Sequence, residues 1–420
     1  MRSSILSSIK SPILGVPQGV NSLQPELIGT IIELQSGDFI ADNFVDNSDV
    51  GTTFAFNTTQ VDFSSVDTTV EFTDYMTITP AAAGIHEYTS WEQWKITAHL
   101  TLDNVDSTSF GLSFGTRGAS TAENFFNHVR VALDSSGNNG LPYQYDDSGF
   151  SRQKVGTQIA AFAGAQDLWY EIERRYDQYY VSVYQNDSGA IGTQIGTTQN
   201  ISPTTQYDDA ATIFRYPISG RWACYYFGQG VMTLDYWKIE VLAYKNVEWL
   251  VMGDSNTQGT RTVLASRYTE LMKASLGLDD DQLTTMVGFG QRVNDFNNVR
   301  QQIALVNPKN IIINMGSNDV AANNVNLTTQ YDTLVDNIIT DLPNCNVYLC
   351  TPIARNGVNF TTFNSYIVTK AASIGTPVID LYATTQDGGN LNAAYNSGDN
   401  IHMIAAGHAA CNTTIINTVT

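Results

Sequence analysis

Three polar residues in the C-terminal two fifths of the chain have the types that acyl transfer to a serine requires. Ser255 follows Gly253 and Asp254, and Asp399 and His402 lie three positions apart. A serine hydroxyl titrates far above neutral pH, so it needs a base within hydrogen-bond reach, and that base needs an acceptor that fixes its tautomer. The sequence therefore predicts Ser255 as nucleophile, His402 as general base and Asp399 as the carboxylate that orients His402.

A fourth residue, Asn318, could stabilise the negative charge that develops on the substrate oxygen. It lies in the segment Gly316–Asp319 (GSND). A fixed side-chain amide is a suitable donor to such an oxyanion. Either short motif alone could be a capped turn or an Asx-turn, and a GDS tripeptide occurs by chance in roughly one chain in ten of this length. The positions of the motifs on predicted elements therefore decide their interpretation.

The elements that must position these residues have a βα pattern from position 246 onward. Short apolar runs predict strands buried on both faces, and apolar residues at helical spacing separate the runs. This alternation predicts a parallel sheet with helices on both faces and an active site at the carboxyl ends of its strands. Ser255 follows the first strand and precedes the first helix, whose positive end favours negative charge. The predicted strands are Trp249–Met252, Asn310–Met315, Asn346–Cys350 and Pro377–Leu381.

The region from Ser36 to Tyr244 has a different pattern. Apolar and polar residues alternate along Trp94–Leu102 and several other runs, and Gly, Asn, Asp and Ser clusters separate these runs. Period two predicts antiparallel strands with one buried and one solvated face, and a two-sheet sandwich is the simplest solution. We predict three parts: an N-terminal extension (1–35), a β-sandwich (36–245) and an α/β domain (246–420).

Composition excludes several classes of partner. The chain has 41 acidic and 21 basic residues and a formal net charge of -20, which disfavours binding to nucleic acid or to an anionic membrane surface. No apolar run is long enough to span a bilayer, so a soluble protein is expected. The first twenty residues lack the uninterrupted apolar stretch of a signal peptide. The low content of charged residues, 15%, is typical of a protein that acts outside a cytoplasm, so we expect an extracellular protein that does not use a cleaved secretory signal. A resemblance of the opening residues to those of virion proteins, described below, makes a virion-associated protein the other expectation.

The remaining cysteines and histidines give no metal motif. The four cysteines lack disulfide or metal-ligand spacing, which predicts free, mostly buried thiols. His86, His99 and His128 are expected to lie without carboxylate clusters that would suggest a metal site, and His408 is expected to pack or cap at the start of the last helix. The cysteines are Cys224, Cys345, Cys350 and Cys411.

Together the motifs resemble the SGNH (GDSL-like) hydrolase family over residues 247–419. GDS at Ser255, GSND at Asn318 and DNIH at Asp399 and His402 occur in the family's order. The resemblance implies a flavodoxin-like three-layer fold, hydrolysis of an ester through an acyl-enzyme, and no metal or organic cofactor. It also implies an oxyanion hole formed by the N–H of Ser255, a glycine N–H and the Asn318 amide. The segment MVGFGQRV departs from the usual spacing there and offers Gly288 or Gly290, of which we choose Gly290.

The runs Leu168–Gln185 (LWYEIERRYDQYYVSVYQ) and Met232–Val241 (MTLDYWKIEV) resemble concanavalin A-like or laminin G-like jelly rolls, which often bind glycans. Tyr179, Tyr180 and Tyr184 are candidates for stacking on sugar rings, although strand tyrosines are more often core or ordinary surface. A purely structural or oligomerising role stays open for this region. The opening residues also resemble the starts of phage tail and virion proteins, and assembly into a virion or a homo-oligomer stays open.

The leading hypothesis is a carbohydrate O-acetyl esterase (deacetylase) acting on an acetylated polysaccharide. The polar loops after Cys350 and before Asp399 suit a hydroxylated substrate better than a lipid. One alternative is a lipase or thioesterase of the same family. Another is an inactive, hydrolase-like virion or adhesion protein with a glycan-binding or structural role, and the intact Ser255, Asn318, Asp399 and His402 argue against it.

Overall fold

The structure is a computed structural model. It describes most of the C-terminal domain and separate segments of the N-terminal region. The described residues are 26–41, 44–46, 52–65, 75–78, 88–89, 94–103, 108–116, 129–132, 141–145, 152–154, 159–160, 162, 164–175, 178–201, 220–228, 230–243, 247–279, 282–288 and 290–420.

The described part of the N-terminal region consists mainly of strands. Their alternating apolar residues favour this structure, as the sequence predicted. The strands are β1 (Glu26–Leu34), β2 (Phe44–Asp46), β3 (Thr52–Phe56), β4 (Val61–Ser65), β5 (Tyr75–Ile78), β6 (Tyr88–Thr89), β7 (Trp94–Leu102), β8 (Thr108–Thr116), β9 (Val129–Ala132), β10 (Leu141–Tyr145), β11 (Arg152–Lys154), β12 (Gln166–Arg175), β13 (Gln178–Asp187), β14 (Ala190–Ile201), β15 (Gly220–Gly228) and β16 (Gly230–Ala243).

These strands form two antiparallel sheets. One has the order β14-β13-β12-β7-β16-β4-β3, and the other has the order β11-β10-β9-β8-β15-β5-β2 with β6 paired to β15. Strand β1 pairs with β16 along its length, so the prediction that residues 1–35 form an extension is wrong for Glu26–Leu34. The sheet-rich character is confirmed, whereas the jelly-roll arrangement stays a prediction. The first twenty residues, His86 and His128 lie outside the described residues.

The first sheet contains a cluster of charged groups around a buried histidine, which the sequence did not indicate. His99 was expected on the solvated face of its strand, but it is buried and lies between two partly exposed carboxylates. Its Nδ1 is 2.5 Å from Asp235 Oδ1 and its Nε2 is 2.7 Å from Asp167 Oδ1. The ring also packs against Trp169, with 4.7 Å between the ring centroids. The expectation of a solvated position is therefore wrong for His99, and strands β12 and β16 bring the two acidic residues to both sides of β7.

The C-terminal domain alternates strands and helices, as predicted. In the part of the chain that the structure describes, no helix is both long and apolar enough to cross a membrane. The strands are β17 (Trp249–Gly253), β18 (Leu283–Val287), β19 (Asn310–Asn314), β20 (Asn346–Cys350), β21 (Val378–Ile379), β22 (Gln386–Asp387) and β23 (Asn390–Leu391). The helices are α1 (Ser255–Gln258), α2 (Tyr268–Leu276), α3 (Val293–Val306), α4 (Ser317–Ala321), α5 (Leu327–Asp341), α6 (Thr361–Ile374), α7 (Leu381–Thr385) and α8 (Ala405–Val419), and a 3-10 turn spans Leu264–Ser266.

Five parallel strands form the sheet of this domain in the order β18-β17-β19-β20-β21. This is the 2-1-3-4-5 order of flavodoxin-like sheets. Alternate residues of β17 enter different cores: Leu250 packs with α3, α5 and α6, and Val251 packs with α2, α7 and α8. The sheet is thus the middle of three layers. Strand β18 is added on one side of β17, and the later strands are added on the other side, beginning with β19. The position between β17 and β19 is therefore a topological switch point, where doubly wound sheets bind ligands.

Three of the cysteines are free, as the sequence predicted: Cys350 and Cys411 are buried and Cys345 is half-buried. Burial raises the pKa of the Cys411 thiol to about 12, so it stays protonated near neutral pH. Cys224 lies in β15. His408 is in the first turns of α8, where it is fully buried, and its ring stacks on Tyr268 with 5.9 Å between centroids. Its predicted packing role is confirmed.

Candidate active site

Ser255 lies at the end of β17, in a tight turn that requires a glycine. A Cβ on Gly253 would be 1.8 Å from Thr257 Oγ1, so any other residue would push the turn apart. Asp254 caps the turn by accepting a hydrogen bond from Asn256 N at 2.9 Å. Ser255 itself begins α1, a single helical turn that Gly259 closes in the left-handed conformation. The next α-helix, α2, starts only at Tyr268, so the helix dipole at the serine is that of one turn.

His402 reaches Ser255 from a loop 147 positions along the chain. Its Nε2 is 2.9 Å from Ser255 Oγ, and its Nδ1 is 2.5 Å from Asp399 Oδ2. The carboxylate can accept only, so Nδ1 carries the proton and Nε2 can accept the serine proton. Both Ser255 and His402 are buried, at 4% and 5% exposure. The structure thus brings the predicted serine, imidazole and carboxylate together in the order that nucleophile activation requires.

Asp399 is fixed by the backbone of its own loop. Its Oδ1 accepts hydrogen bonds from Ile401 N at 2.9 Å and His402 N at 2.8 Å, and Arg261 Nε lies 3.0 Å from Oδ2. Burial alone would raise the pKa of Asp399, but the hydrogen bonds from His402 and Ile401 outweigh it and hold this pKa well below its usual value. Asp399 therefore stays ionised wherever the protein is folded near neutral pH.

The protonation of His402 reflects opposing influences. Burial lowers its pKa, the Asp399 carboxylate raises it, and the positive charges of Arg261 and Arg355 lower it. The net result is a pKa below the ordinary histidine value of 6.5. A neutral imidazole, which is the form that can act as a base, is therefore the main form at neutral pH.

Asn318 projects from α4, directly after β19, and its amide is oriented by the backbone. Its Nδ2 donates to Gln291 O at 3.0 Å, which leaves the second amide hydrogen for another acceptor. Gly316 precedes it with a φ of 107°, and a Cβ there would lie 2.2 Å from Phe363 Cε1. Only a glycine allows this turn to pack against α6.

The two candidate glycines differ in what their backbone N–H groups do. The N–H of Gly288 donates to Gly253 O at 3.2 Å, so this group is already used to hold the turn before Ser255. Gly290 is exposed and has a φ of 71°, in the left-handed region that favours glycine. The choice of Gly290 over Gly288 agrees with this arrangement, although its role stays a prediction.

A buried polar network behind the nucleophile was not predicted. The Tyr268 hydroxyl donates to Thr257 Oγ1 at 2.8 Å, and Asn314 Nδ2 lies 3.3 Å from Thr257 Oγ1 and 3.2 Å from the Tyr268 oxygen. Helix α2, the turn at Ser255 and the end of β19 are thereby joined. Tyr268 is one of the residues at helical spacing, and the sequence indicates only that it packs in the core. Its role in the polar network is identified by the contact with Thr257.

Two arginines near the site were also missed. Arg261 pairs with Asp399, and Arg355 Nη1 lies 3.5 Å from Asn318 Oδ1. No sequence motif marks either of them. Among the described residues, His, Cys, Asp and Glu side chains form no group of three or more that could hold a metal ion.

The geometry of this domain agrees with a match to a known family. Residues 251–410 match the family model described as GDSL-like Lipase/Acylhydrolase. The C-terminal domain is a GDSL-like hydrolase domain. The matched residues include Ser255, Asn318 and His402, and they stop short of the N-terminal sheets, about which the match says nothing.

Solved structures show likeness to the chain at low identity. A member of the lipolytic G-D-S-L family from Veillonella parvula DSM 2008 is 18% identical, with 41% of this chain and 98% of that chain covered and a TM-score of 0.35. A lipase/acylhydrolase from Enterococcus faecalis is 19% identical, with coverages of 41% and 94% and a TM-score of 0.35. A family two carbohydrate esterase from Cellvibrio japonicus is 11% identical, with coverages of 93% and 96% and a TM-score of 0.35. These likenesses carry no information about the substrate of this chain. No curated protein matches it.

Proposed function

We propose that the chain is a serine esterase that removes acetyl groups from a polysaccharide through an acyl-enzyme. The observation that carries the esterase part is the hydrogen-bonded sequence of Asp399, His402 and Ser255, with 2.5 Å and 2.9 Å between the bonded atoms. A GDSL-like hydrolase domain with this arrangement can generate a nucleophile without any other group.

In the first step, Ser255 Oγ attacks the ester carbonyl while His402 Nε2 takes the serine proton. The oxygen of the tetrahedral intermediate is held by the N–H groups of Ser255 and Gly290 and by the Asn318 amide. His402 then donates its proton to the alcohol oxygen, which leaves as the free hydroxyl. In the second step, His402 deprotonates a water molecule that attacks the acetyl-serine, and acetate and free Ser255 result.

The polysaccharide part of the proposal is supported by the loops around the site. Side-chain amides line the turns next to His402, and they bond to each other: Asn356 Nδ2 donates to Asn400 Oδ1 at 2.9 Å, and Asn396 Nδ2 donates to the same atom at 2.8 Å. Amide-rich loops suit hydroxylated sugars better than acyl chains. The N-terminal sheets would hold the glycan or anchor the enzyme, and in this region Tyr180 and Tyr184 are half-buried.

Labelling with a fluorophosphonate probe tests the nucleophile directly. We expect mass spectrometry to find the probe on Ser255 in the wild type and to find no label in Ser255→Ala. Ser365→Ala is the matched control, because Ser365 lies on α6 and its hydroxyl donates to Thr361 O. Absence of label and of p-nitrophenyl acetate hydrolysis in the folded wild type would reject the esterase proposal and favour an inactive binding or structural protein.

A second assay tests the substrate class. We expect acetate release from acetylated xylan and faster turnover of p-nitrophenyl acetate than of p-nitrophenyl palmitate. A preference for the long acyl chain would replace the deacetylase proposal by a lipase, and the roles of Ser255 and His402 would stand.

A further inference from the structure

Arg355 places a positive charge beside the proposed oxyanion hole. It lies in the loop after β20, is half-buried, and approaches Asn318 Oδ1 with Nη1 at 3.5 Å. Burial lowers the pKa of His402 and raises that of the buried Asp254 to about 6, and the charge of Arg355 adds to the first shift and opposes the second. The guanidinium therefore lies beside Asn318 and within electrostatic reach of His402 and Asp254.

The loop that carries Arg355 is fixed on both sides of this residue. Before it, Ala354 N donates to Thr385 Oγ1 at 3.0 Å. After it, Asn356 N donates to Asn400 O at 3.1 Å, and the Asn356 side chain bonds to that of Asn400. Asn400 lies two positions before His402. The backbone of Arg355 is thus held against the loop that carries the proposed base.

The guanidinium has more hydrogen-bond donors than its described partners occupy. It carries five N–H groups, and the one hydrogen bond that it forms with a described residue, to Asn318 Oδ1, has a length at the outer limit for such a bond. Within the part of the chain that the structure describes, no carboxylate forms an ion pair with Arg355, although acidic residues outnumber basic ones by 41 to 21. Arg261, the other arginine of the site, pairs with Asp399 at 3.0 Å. Arg355 therefore remains able to bind an anion from outside.

We propose that Arg355 selects esters that carry a carboxylate close to the scissile bond, such as acetyl groups on uronic acid residues. This inference rests on the proposed esterase function. A guanidinium binds a carboxylate through two parallel hydrogen bonds, which fixes the orientation of the ester as well as its charge. The net charge of -20 repels an anionic chain, so a local cation at the site is needed to admit one.

Matched pairs of esters test the preference. The first pair is the acetate of methyl glucuronoside and that of methyl glucoside, which differ by a carboxylate in the alcohol. The second pair is mono-p-nitrophenyl succinate and its methyl ester, which differ by a carboxylate in the acyl group. For each pair, the ratio of kcat/KM for the anionic ester to that for the neutral one is measured at low and high salt.

We expect Arg355→Gln to lower this ratio roughly tenfold to a hundredfold in one of the pairs, since a hydrogen bond to a charged group has about that effect. The affected pair identifies whether the carboxylate belongs to the alcohol or to the acyl group. Arg355→Lys should keep part of the ratio, and salt should lower the wild-type ratio. Arg300→Gln is the matched charge control, because Arg300 lies 3.7 Å from Asp341 and outside the site, and it should leave the ratio unchanged. An equal loss on anionic and neutral esters, or no loss, would overturn the proposal.

A binding measurement separates this inference from the esterase proposal. Calorimetry with Ser255→Ala and with Ser255→Ala/Arg355→Gln measures the affinity for the same intact esters, and circular dichroism confirms that each variant is folded. Tighter binding of an anionic ester that disappears with Arg355→Gln supports the inference even if the wild type hydrolyses nothing. Hydrolysis without any charge preference overturns it and leaves the esterase proposal standing. Equal or absent binding of both members of each pair also overturns it.

Discussion

Each of the two regions of the molecule holds a buried histidine next to carboxylates, and the two histidines have opposite properties. In the first sheet, both ring nitrogens of His99 face carboxylates, those of Asp235 and Asp167. In the C-terminal domain, one nitrogen of His402 faces Asp399 and the other faces the Ser255 hydroxyl. Burial lowers the pKa of both rings, yet the pKa of His99 is raised above 6.5 and that of His402 is lowered.

The difference shows that the second partner decides what a buried histidine can do. Two carboxylates accept only, so both nitrogens of His99 must carry protons and the ring is held as an imidazolium. Such a ring ties β12 and β16 to β7, but it has no lone pair with which to accept a proton. A hydroxyl can donate as well as accept, so His402 keeps a free lone pair on Nε2 for Ser255.

The largest expected effect separates the two histidines by activity. His402→Ala should lower kcat for p-nitrophenyl acetate by about 10⁴-fold or more, because Ser255 then lacks a base. His99→Ala should leave the kcat of the folded protein within about twofold of the wild type, because hydrolysis of p-nitrophenyl acetate needs no group in the first sheet. Steady-state kinetics on both variants checks this. Comparable losses from the two substitutions would show that the two regions are not independent.

Removal of the side-chain amide at the proposed oxyanion hole should have the next largest effect. We expect Asn318→Ala to lower kcat by about 10²- to 10³-fold with little change in KM, because the amide acts on charge that develops in the transition state. Asn412→Ala is the control, since Asn412 lies on α8 and bonds to Ser275. An unchanged kcat for Asn318→Ala would remove this residue from the mechanism.

The network behind the nucleophile should affect stability more than chemistry. Tyr268→Phe removes the hydroxyl that bonds to Thr257 and Asn314, and we expect it to lower the free energy of unfolding by about 1–3 kcal/mol. Tyr366→Phe is the control, because its hydroxyl bonds to Thr328 O at an exposed site and its loss should cost less. Urea unfolding monitored by circular dichroism measures both. Equal costs would show that the buried network adds nothing to stability.

The smallest expected effects are opposite pH dependences of the two histidines. The lowered pKa of His402 predicts that kcat/KM falls with acid only below pH 6.5, where the base becomes protonated. The raised pKa of His99 predicts a contribution to stability that is complete below pH 6.5 and is lost as the pH rises through its folded-state pKa. The kcat/KM profile and the unfolding midpoint of wild type and His99→Gln between pH 5 and 9 measure the two. An acid limb above pH 6.5, or a His99→Gln difference that grows with pH, would contradict this assignment.

The α/β domain could be predicted largely from the sequence because its signals are local. The runs at β17, β19 and β20 are apolar on both faces, and the motifs at Ser255 and Asn318 directly follow two of them. Asp399 and His402 are only three residues apart, so the contact between their side chains depends on a single turn. By contrast, Arg355, Thr257 and Tyr268 matter through contacts across the fold, and no spacing in the sequence indicates these contacts.

The His99 cluster shows the same limit within a strand. The core side of β16 includes Leu234 and then Trp237, which indicates one extra residue between them. The register confirms the irregularity, because Leu234 pairs with Leu100 whereas Tyr236 pairs with His99. Such a bulge turns Asp235 toward the histidine. The sequence shows the shift in the alternation of apolar and polar residues between Leu234 and Trp237. It does not show which strand Asp235 faces.

The turn at Asp399 has a consequence for how activity could be gated. Asp399 binds both the ring and the backbone N–H of His402, so the carboxylate and the imidazole form one rigid unit. Displacement of this loop would carry both groups away from Ser255 without parting them. The distance from His402 Nε2 to Ser255 Oγ would then distinguish active from inactive molecules. A ligand that shifts the loop would act as an inhibitor.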